Sequence, residues 1–273
     1  MADTTIDTGT AQLTAVVRGG VAVLTLNRPD ARNALSDEMS GALRRQIAER
    51  ALDPAVGAIL ITGAGSAFCS GGDVKNMGAN RKNADAPIDR VIAEMRARHQ
   101  GLTGALAQVR KPTIAALPGA AAGAGLALAL ACDLRIAARS AFASTGYAKI
   151  GLSGDYGIAW LMTRAAGPAR ARELMLTSER VDAERAERLG LFHRVVDDAA
   201  LADASFKWAA ELAAGPRVAV GLIKDNLDEA LDIDYRTAID REAERLARAR
   251  GTADHHEAVR AFVEKRKPVF TGR

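Results

Sequence analysis

A chain of 273 residues, 48% hydrophobic and 26% charged, is long enough to bury a substantial core and has the balance of a globular rather than a disordered or fibrous protein. Its net charge of +4 mildly favours an anionic ligand, but acids are interspersed with the basic residues and no Lys/Arg run carries interleaved aromatics, which argues against nucleic acid. Two cysteines, Cys69 and Cys132, make neither a disulfide framework nor a metal-ligand spacing, and the adjacent His255 and His256 lack a third ligand nearby, so no metal is expected.

In chain order, residues 1–12 are polar and acidic, without a basic segment or an apolar run, and are expected to be a disordered leader of a cytoplasmic protein. "VAVLTLN" (Val21–Asn27) alternates apolar and small residues and reads as a strand ending at Arg28-Pro29. A helix follows, with Ser36 as N-cap, Asp37 and Glu38 in the first turn where the helix dipole favours them, and Met39, Leu43 and Ile47 at helical spacing. "VGAILITG", "TIAALPG" and "DLRIAA" predict three more strands. Between them lie loops rich in Gly, Asn and Asp, of which Asn76–Asp89 lacks apolar period and is expected to form a wall of the site.

Pro112–Cys132 is uncharged over about the length of a membrane span. Pro118-Gly119, Gly123 and Gly125 interrupt it, so a buried strand and then a buried helix are expected, with no membrane crossing. Strands alternating with helices predict an α/β core over residues 13–205. Beyond it, amphipathic patterns such as Val220, Ile223, Leu227 and Leu231 predict a helical C-terminal region, 206–273, suited either to oligomerisation or to packing on its own core.

Two small-residue segments, "GAGSAFCSGGD" and "GAAAGAGLALALACD", carry the chemistry. A helix start exposes unpaired N–H groups at its positive end, and small residues let a ligand approach them. A phosphate loop would need Gly-Lys-Ser/Thr at its end, and a dinucleotide fingerprint a third glycine where Phe68 and Leu128 stand. Two loops that each follow a strand and each offer N–H groups suit a two-donor oxyanion hole instead.

Together these segments resemble the crotonase (enoyl-CoA hydratase/isomerase) superfamily over nearly the whole chain. "LNRPDARNALSDEM" is similar to the family's entry segment, "AFCSGGDVKNM" to its first oxyanion loop, "PGAAAGAGLALALACDLRIA" to the second and "AFVEKRKPVF" to its C-terminal signature. The resemblance implies a spiral of ββα units closed by C-terminal helices, assembled as a homotrimer or homohexamer, acting on an acyl-CoA thioester. Coenzyme A would be part of the substrate, with no separate cofactor. The implied oxyanion donors are the amides of Ser70 and Ala124. Ala31, Arg32, Ser70, Gly71, Gly72, Asp73 and Ala124 would surround the ester, and Phe262 and Lys265 would reach it, from a neighbouring subunit if not from the same one.

The family's hydratases carry two glutamates where this chain has Ala127 and Tyr147. Hydration needs paired carboxylates to place water and deliver a proton, so a different reaction is expected. Asp155 stands where single-carboxylate members such as the phenylacetate-pathway epoxide isomerases and some enoyl-CoA isomerases carry a catalytic aspartate. The expectation is therefore an isomerase with Asp155 as acid/base, set among Ile158, Trp160 and Leu161, and with Tyr147 as a hydrogen-bond donor. Capping of a helix that begins near Tyr156 is the structural alternative for Asp155. The alternative functions are a hydratase, an aryl-CoA dehalogenase-like enzyme with Asp155 as nucleophile, and a weakly catalytic CoA-ester-binding protein. The dehalogenase needs a histidine base; His99 is expected instead to be an exposed helix residue. Cys69 and Cys132 are expected to be buried apolar groups, and Asp133 to start a strand.

Overall fold

The computed structural model describes residues 3–73 and 86–273. Among these residues the strands form two sheets. The larger, in the order β1-β2-β3-β4-β6-β8-β11, comprises β1 (Thr4–Ile6), β2 (Leu13–Arg18), β3 (Val21–Leu26), β4 (Ala58–Gly63), β6 (Thr113–Leu117), β8 (Leu134–Ala138) and β11 (Arg194–Val196). Its first three strands are antiparallel and the rest parallel. The smaller sheet holds β5 (Ala67–Cys69), β7 (Ala120–Ala122), β9 (Phe142–Ser144) and β10 (Val181–Asp182), with β5, β7 and β9 parallel.

The pairs β4–β5, β6–β7 and β8–β9 each send their first strand to the large sheet and their second to the small one. Repetition of this unit makes the expected spiral. It stacks the turns after β5 and β7 against each other, which only very small residues permit. A Cβ on Gly125 would lie 2.2 Å from the Cys69 carbonyl oxygen. The helix behind that turn, α3 (Ala124–Ala131), is buried on every side, and for that reason its sequence carries no polar face.

The helix α1 (Asp37–Leu52) starts as the sequence predicts, with the Ser36 hydroxyl accepting the Met39 amide at 3.1 Å, and its Met39, Leu43 and Ile47 are buried. Further along come α2 (Ile88–His99), α4 (Ile158–Thr177, broken at Gly167-Pro168), α5 (Ala183–Arg188) and α6 (Leu201–Ala213). The C-terminal region contributes α7 (Arg217–Glu229), α8 (Tyr235–Arg250) and α9 (Ala253–Val263). No helix of the described residues is long and apolar enough to cross a membrane.

Two boundaries differ from expectation. The leader is not wholly disordered: Thr4–Ile6 pair antiparallel with β2, and the Thr8 hydroxyl donates to the Leu13 carbonyl at 2.6 Å. Polar but β-branched, "TTI" suits an edge strand. The division at 205/206 falls inside α6, which packs on β3, β4, β6 and β8 and so belongs to the core. The separate helical part begins at α7. Of the expected wall Asn76–Asp89, residues 76–85 lie outside the described residues, and Ile88 and Asp89 open α2.

Candidate active site

The two small-residue loops expected to offer oxyanion amides lie where β5 and β7 end. After β7, Gly123 adopts φ 51°, ψ −125°, a conformation suited to glycine, and donates its amide to the Ser144 carbonyl at 3.0 Å. That turn opens α3 and leaves the amide of Ala124, at the positive end of the helix, without a hydrogen-bond partner among the described residues.

The first loop departs from expectation by two residues. The Ser70 amide donates to the Arg32 carbonyl at 3.0 Å, and its hydroxyl lies 3.4 Å from the Ala31 carbonyl. Ser70 is therefore committed to the entry segment and is not a spare donor. Beyond it, Leu35 bridges to Gly72 in parallel fashion, with the Leu35 amide donating to the Gly71 carbonyl at 2.8 Å. Along extended backbone successive amides point to opposite sides. The Gly72 amide has no hydrogen-bond partner among the described residues. Gly71, at φ 101°, brings this loop against the second: a Cβ there would lie 2.9 Å from the Ala122 oxygen and 3.6 Å from the Ala124 nitrogen. The pair of available amides is thus Gly72 and Ala124.

Arg28 and Asn33 fasten the entry segment. Arg28 donates to the Ala34 carbonyl at 2.6 Å and to Asp73 Oδ2 at 3.1 Å. Asn33 is fully buried; its Oδ1 accepts the Arg28 amide, and its Nδ2 donates to the carbonyls of Ala64 and Ala67. The entry segment and the β4–β5 turn are stapled through one amide side chain, a role the sequence reading missed. Ala31, Arg32, Ser70, Gly71, Gly72 and Asp73 do come together, but the Asp73 carboxylate is engaged by Arg28. Phe262 on α9 is 85% exposed and Lys265 beyond it is exposed, so within one chain neither lines this site.

Asp155 sits in the turn before α4. Its carboxylate does not cap that helix, whose N-cap is Gly157; the Asp155 main-chain carbonyl accepts the Ile158 amide at 3.0 Å. Instead, Oδ1 receives the Tyr147 hydroxyl at 2.5 Å. Tyr147 is buried, and its hydroxyl lies 3.8 Å from where a Gly123 Cβ would stand, directly beneath the turn that opens α3. Burial, then the Asp155 hydrogen bond and charge, push the phenol well above the usual tyrosine range, so it remains a donor at every working pH. The expected apolar enclosure is incomplete: Ile158 is buried, but Trp160 is 55% exposed, with the Arg164 guanidinium 4.0 Å over its ring. Ala127 presents only a fully buried methyl on α3.

His99 is not the exposed residue expected. It ends α2, half-buried, with its ring 4.2 Å from that of Tyr156, where a five-residue π turn (Gln100–Gly104) follows. Such turns are rare and concentrate at functional sites, and no sequence period announces them. A cavity of about 410 Å³ opens beside these rings, lined among others by Thr103, Gly104, Tyr156, Trp160 and Leu161.

The remaining candidates are structural. Cys69 and Cys132 are buried thiols pushed up to about 12 chiefly by burial. Asp133 accepts from the Thr113 amide and hydroxyl and from Lys224 Nζ at 2.7 Å, tying α7 to the sheet. No cluster of metal-ligating side chains occurs among the described residues.

The enoyl-CoA hydratase/isomerase family model matches residues 17–273. The 1,2-epoxyphenylacetyl-CoA isomerase of Escherichia coli (strain K12) is 40% identical over 261 residues, covering 94% of this chain and 97% of its own. Among solved structures, an enoyl-CoA hydratase from Polaromonas sp. JS666 superposes with a TM-score of 0.88 at 33% identity, covering 94% of this chain and 99% of its own. The enoyl-CoA hydratase of Mycobacterium smegmatis does so at 0.87 and 32%, covering 96% and 99%. With the ββα spiral and the paired amide loops in place, the chain belongs to the enoyl-CoA hydratase/isomerase family of the crotonase superfamily.

Proposed function

We propose that the protein isomerises an acyl-CoA thioester, an enoyl-CoA or a phenylacetyl-CoA ring derivative such as an epoxide, through an enolate, with Asp155 moving the proton. The supporting observation is the Tyr147–Asp155 pair beneath the turn that opens α3, in a site whose other hydratase position holds the Ala127 methyl. In this reading the amides of Gly72 and Ala124 receive the thioester oxygen, each worth ~3 kcal/mol to the charge that develops there. With a 3-enoyl ester, Asp155 takes the proton from Cα and the C–H electron pair moves onto the oxygen as a dienolate. The protonated carboxyl, whose proton exchanges with water, then delivers a proton to Cγ, and the double bond is left at C2–C3. No water is consumed, so a second carboxylate is not needed.

Ala31 and Arg32 of the entry segment, with Gly72 and the Asp73–Arg28 pair, would hold coenzyme A. Phe262 and Lys265 would complete its site from a neighbouring chain of a homotrimer or homohexamer. Exposed Ile223, Leu227, Leu231 and Leu246 on and between α7 and α8 support such self-association.

The test is solvent exchange. Wild type and Asp155→Asn are mixed with saturated, 3-enoyl and aromatic acyl-CoAs in deuterated water, and C–H exchange is followed by mass. Wild type is expected to exchange at least one of these, and Asp155→Asn to lose ~100-fold or more of that rate. CoA-ester binding without exchange by wild type would refute the proposal, in favour of an ester-binding protein or of a carboxylate that attacks carbon.

A further inference from the structure

The turn that carries Asp155 is strained and held from outside. Tyr156, a bulky residue, has φ 51°, a conformation that persists only where surrounding contacts enforce it. Two such contacts come from the segment around His99. The imidazole packs on the Tyr156 ring, and the Thr103 hydroxyl lies between the carbonyl oxygens of His99 (3.2 Å) and Tyr156 (2.9 Å). The π turn brings Thr103 within reach of both carbonyls. Tyr156 is the neighbour of Asp155 in the chain, so a shift of this support would re-aim the carboxylate.

We infer that His99 is a positioning residue for Asp155: it holds the Asp155–Tyr156 turn in its working geometry while its ring is neutral, and it weakens Asp155 as a base when its ring takes up a proton. This rests on the reading of Asp155 as the acid/base group. Among the described residues, the charged and titratable groups around the imidazole and the Tyr156 ring it packs on are Asp155 on the turn, Arg98 on the helix of His99, Arg44 and Asp37 on α1, and Asp228 on α7 across the cavity. Arg98 is paired with Asp37 at 3.3 Å. Burial lowers the imidazole below its ordinary 6.5, Asp155 draws it back up and Arg98 lowers it again. The ring is therefore neutral at pH 7. As pH falls it gains a charge that faces Asp155, and a carboxylate beside a fixed positive charge is a poorer base.

The experiment compares the pH dependence of exchange for wild type, His99→Phe and His99→Gln, with Asp155→Asn as control. His99→Phe keeps a ring against Tyr156 and removes the titration; His99→Gln keeps a polar group and removes it too. Both are expected to lose about 3- to 10-fold in kcat at the optimum with KM unmoved. On the acid side, wild type should fall by up to ~100-fold per pH unit, as for two interacting groups, and both variants by only ~10-fold, as for one. Acid limbs of equal steepness in wild type and both variants would overturn the inference, as would variants as inactive as Asp155→Asn at every pH. Exchange retained by Asp155→Asn would overturn the functional reading and this inference together; lost exchange in Asp155→Asn with unaltered limbs in the His99 variants would overturn this inference alone.

Discussion

Tyr147→Phe isolates one hydrogen bond. The ring is 5% exposed and the substitution keeps it, so the packing beneath Gly123 is preserved and only the donor to Asp155 Oδ1 is removed. A hydrogen bond to a charged group contributes ~1.5–3 kcal/mol. Asp155 is half-buried, so water replaces part of the lost donor, and ~1–2 kcal/mol is the portion left to orient the carboxylate. At ~1.4 kcal/mol per tenfold in rate, kcat should fall about 5- to 30-fold. KM for the CoA ester should stay within about twofold, because the hydroxyl is bonded to Asp155 rather than held for the ester, and an interaction that matters only in the transition state leaves KM alone. Steady-state kinetics on the responsive ester, with a thermal melt to confirm a folded variant, supply the readout. A wild-type kcat would show that Asp155 needs no anchor. An unchanged kcat with a raised KM would move Tyr147 from proton transfer to ester binding.

Gly123→Ala should lower folding stability by ~1–3 kcal/mol, read from the urea midpoint, because φ 51°, ψ −125° is a strained conformation for alanine; kcat should fall as well, since the turn aims the Ala124 amide. An unchanged midpoint would show that the turn relaxes freely. Stability should also decline with acid through His193. Its imidazole is lowered to about 4, by burial first and then by Arg135 and Arg194, and its Nδ1 accepts the Arg135 amide at 3.2 Å. A folded value below the unfolded one means that its contribution is complete above about pH 6.5 and is lost as pH falls toward 4. Because the ring is partly exposed, the loss should be ~1 kcal/mol rather than the ~3 of an unscreened shift. His193→Gln should flatten the urea midpoint over that window, and a slope equal to wild type would rule the residue out.

Strands β3, β4, β6 and β8 were legible because each is a buried apolar run of five or six residues. Their partners in the small sheet were not: "AFC", "AAA" and "FAS" are three residues long and made mostly of small side chains, too short to show a period. The available amide of the first loop was expected two positions too early for a related reason. Ser70 and Gly72 look equivalent in "CSGGD", and the choice depends on which amides the entry segment consumes. Asp155 was singled out by its position in the family pattern, in the segment before α4. Its tie to Tyr147 spans a 3-10 turn (Ala148–Ile150) that leaves no pattern. His99 was expected to be exposed because α2 reads as polar on nearly every side, and the sequence carries no sign of its contact with the Tyr156 ring.

Hydration asks two things of a site at once: a group that orients and deprotonates water, and a group that hands a proton to carbon. At Ala127 this chain offers a fully buried methyl. At Tyr147 it offers a phenol that burial and Asp155 keep protonated, a hydrogen-bond donor rather than a base. In the proposed reading that leaves Asp155 both to take a proton from the substrate and to return one, with exchange to solvent in between through its half-buried carboxyl. Such a cycle suits a reaction in which the substrate neither gains nor loses atoms, which is why isomerisation is the chemistry we assign to these residues. Family membership alone would admit hydration equally. Conversion of a 2-enoyl-CoA by the wild-type enzyme to a product heavier by one water, read by mass, would show that water is added despite the missing carboxylates, and would overturn that assignment.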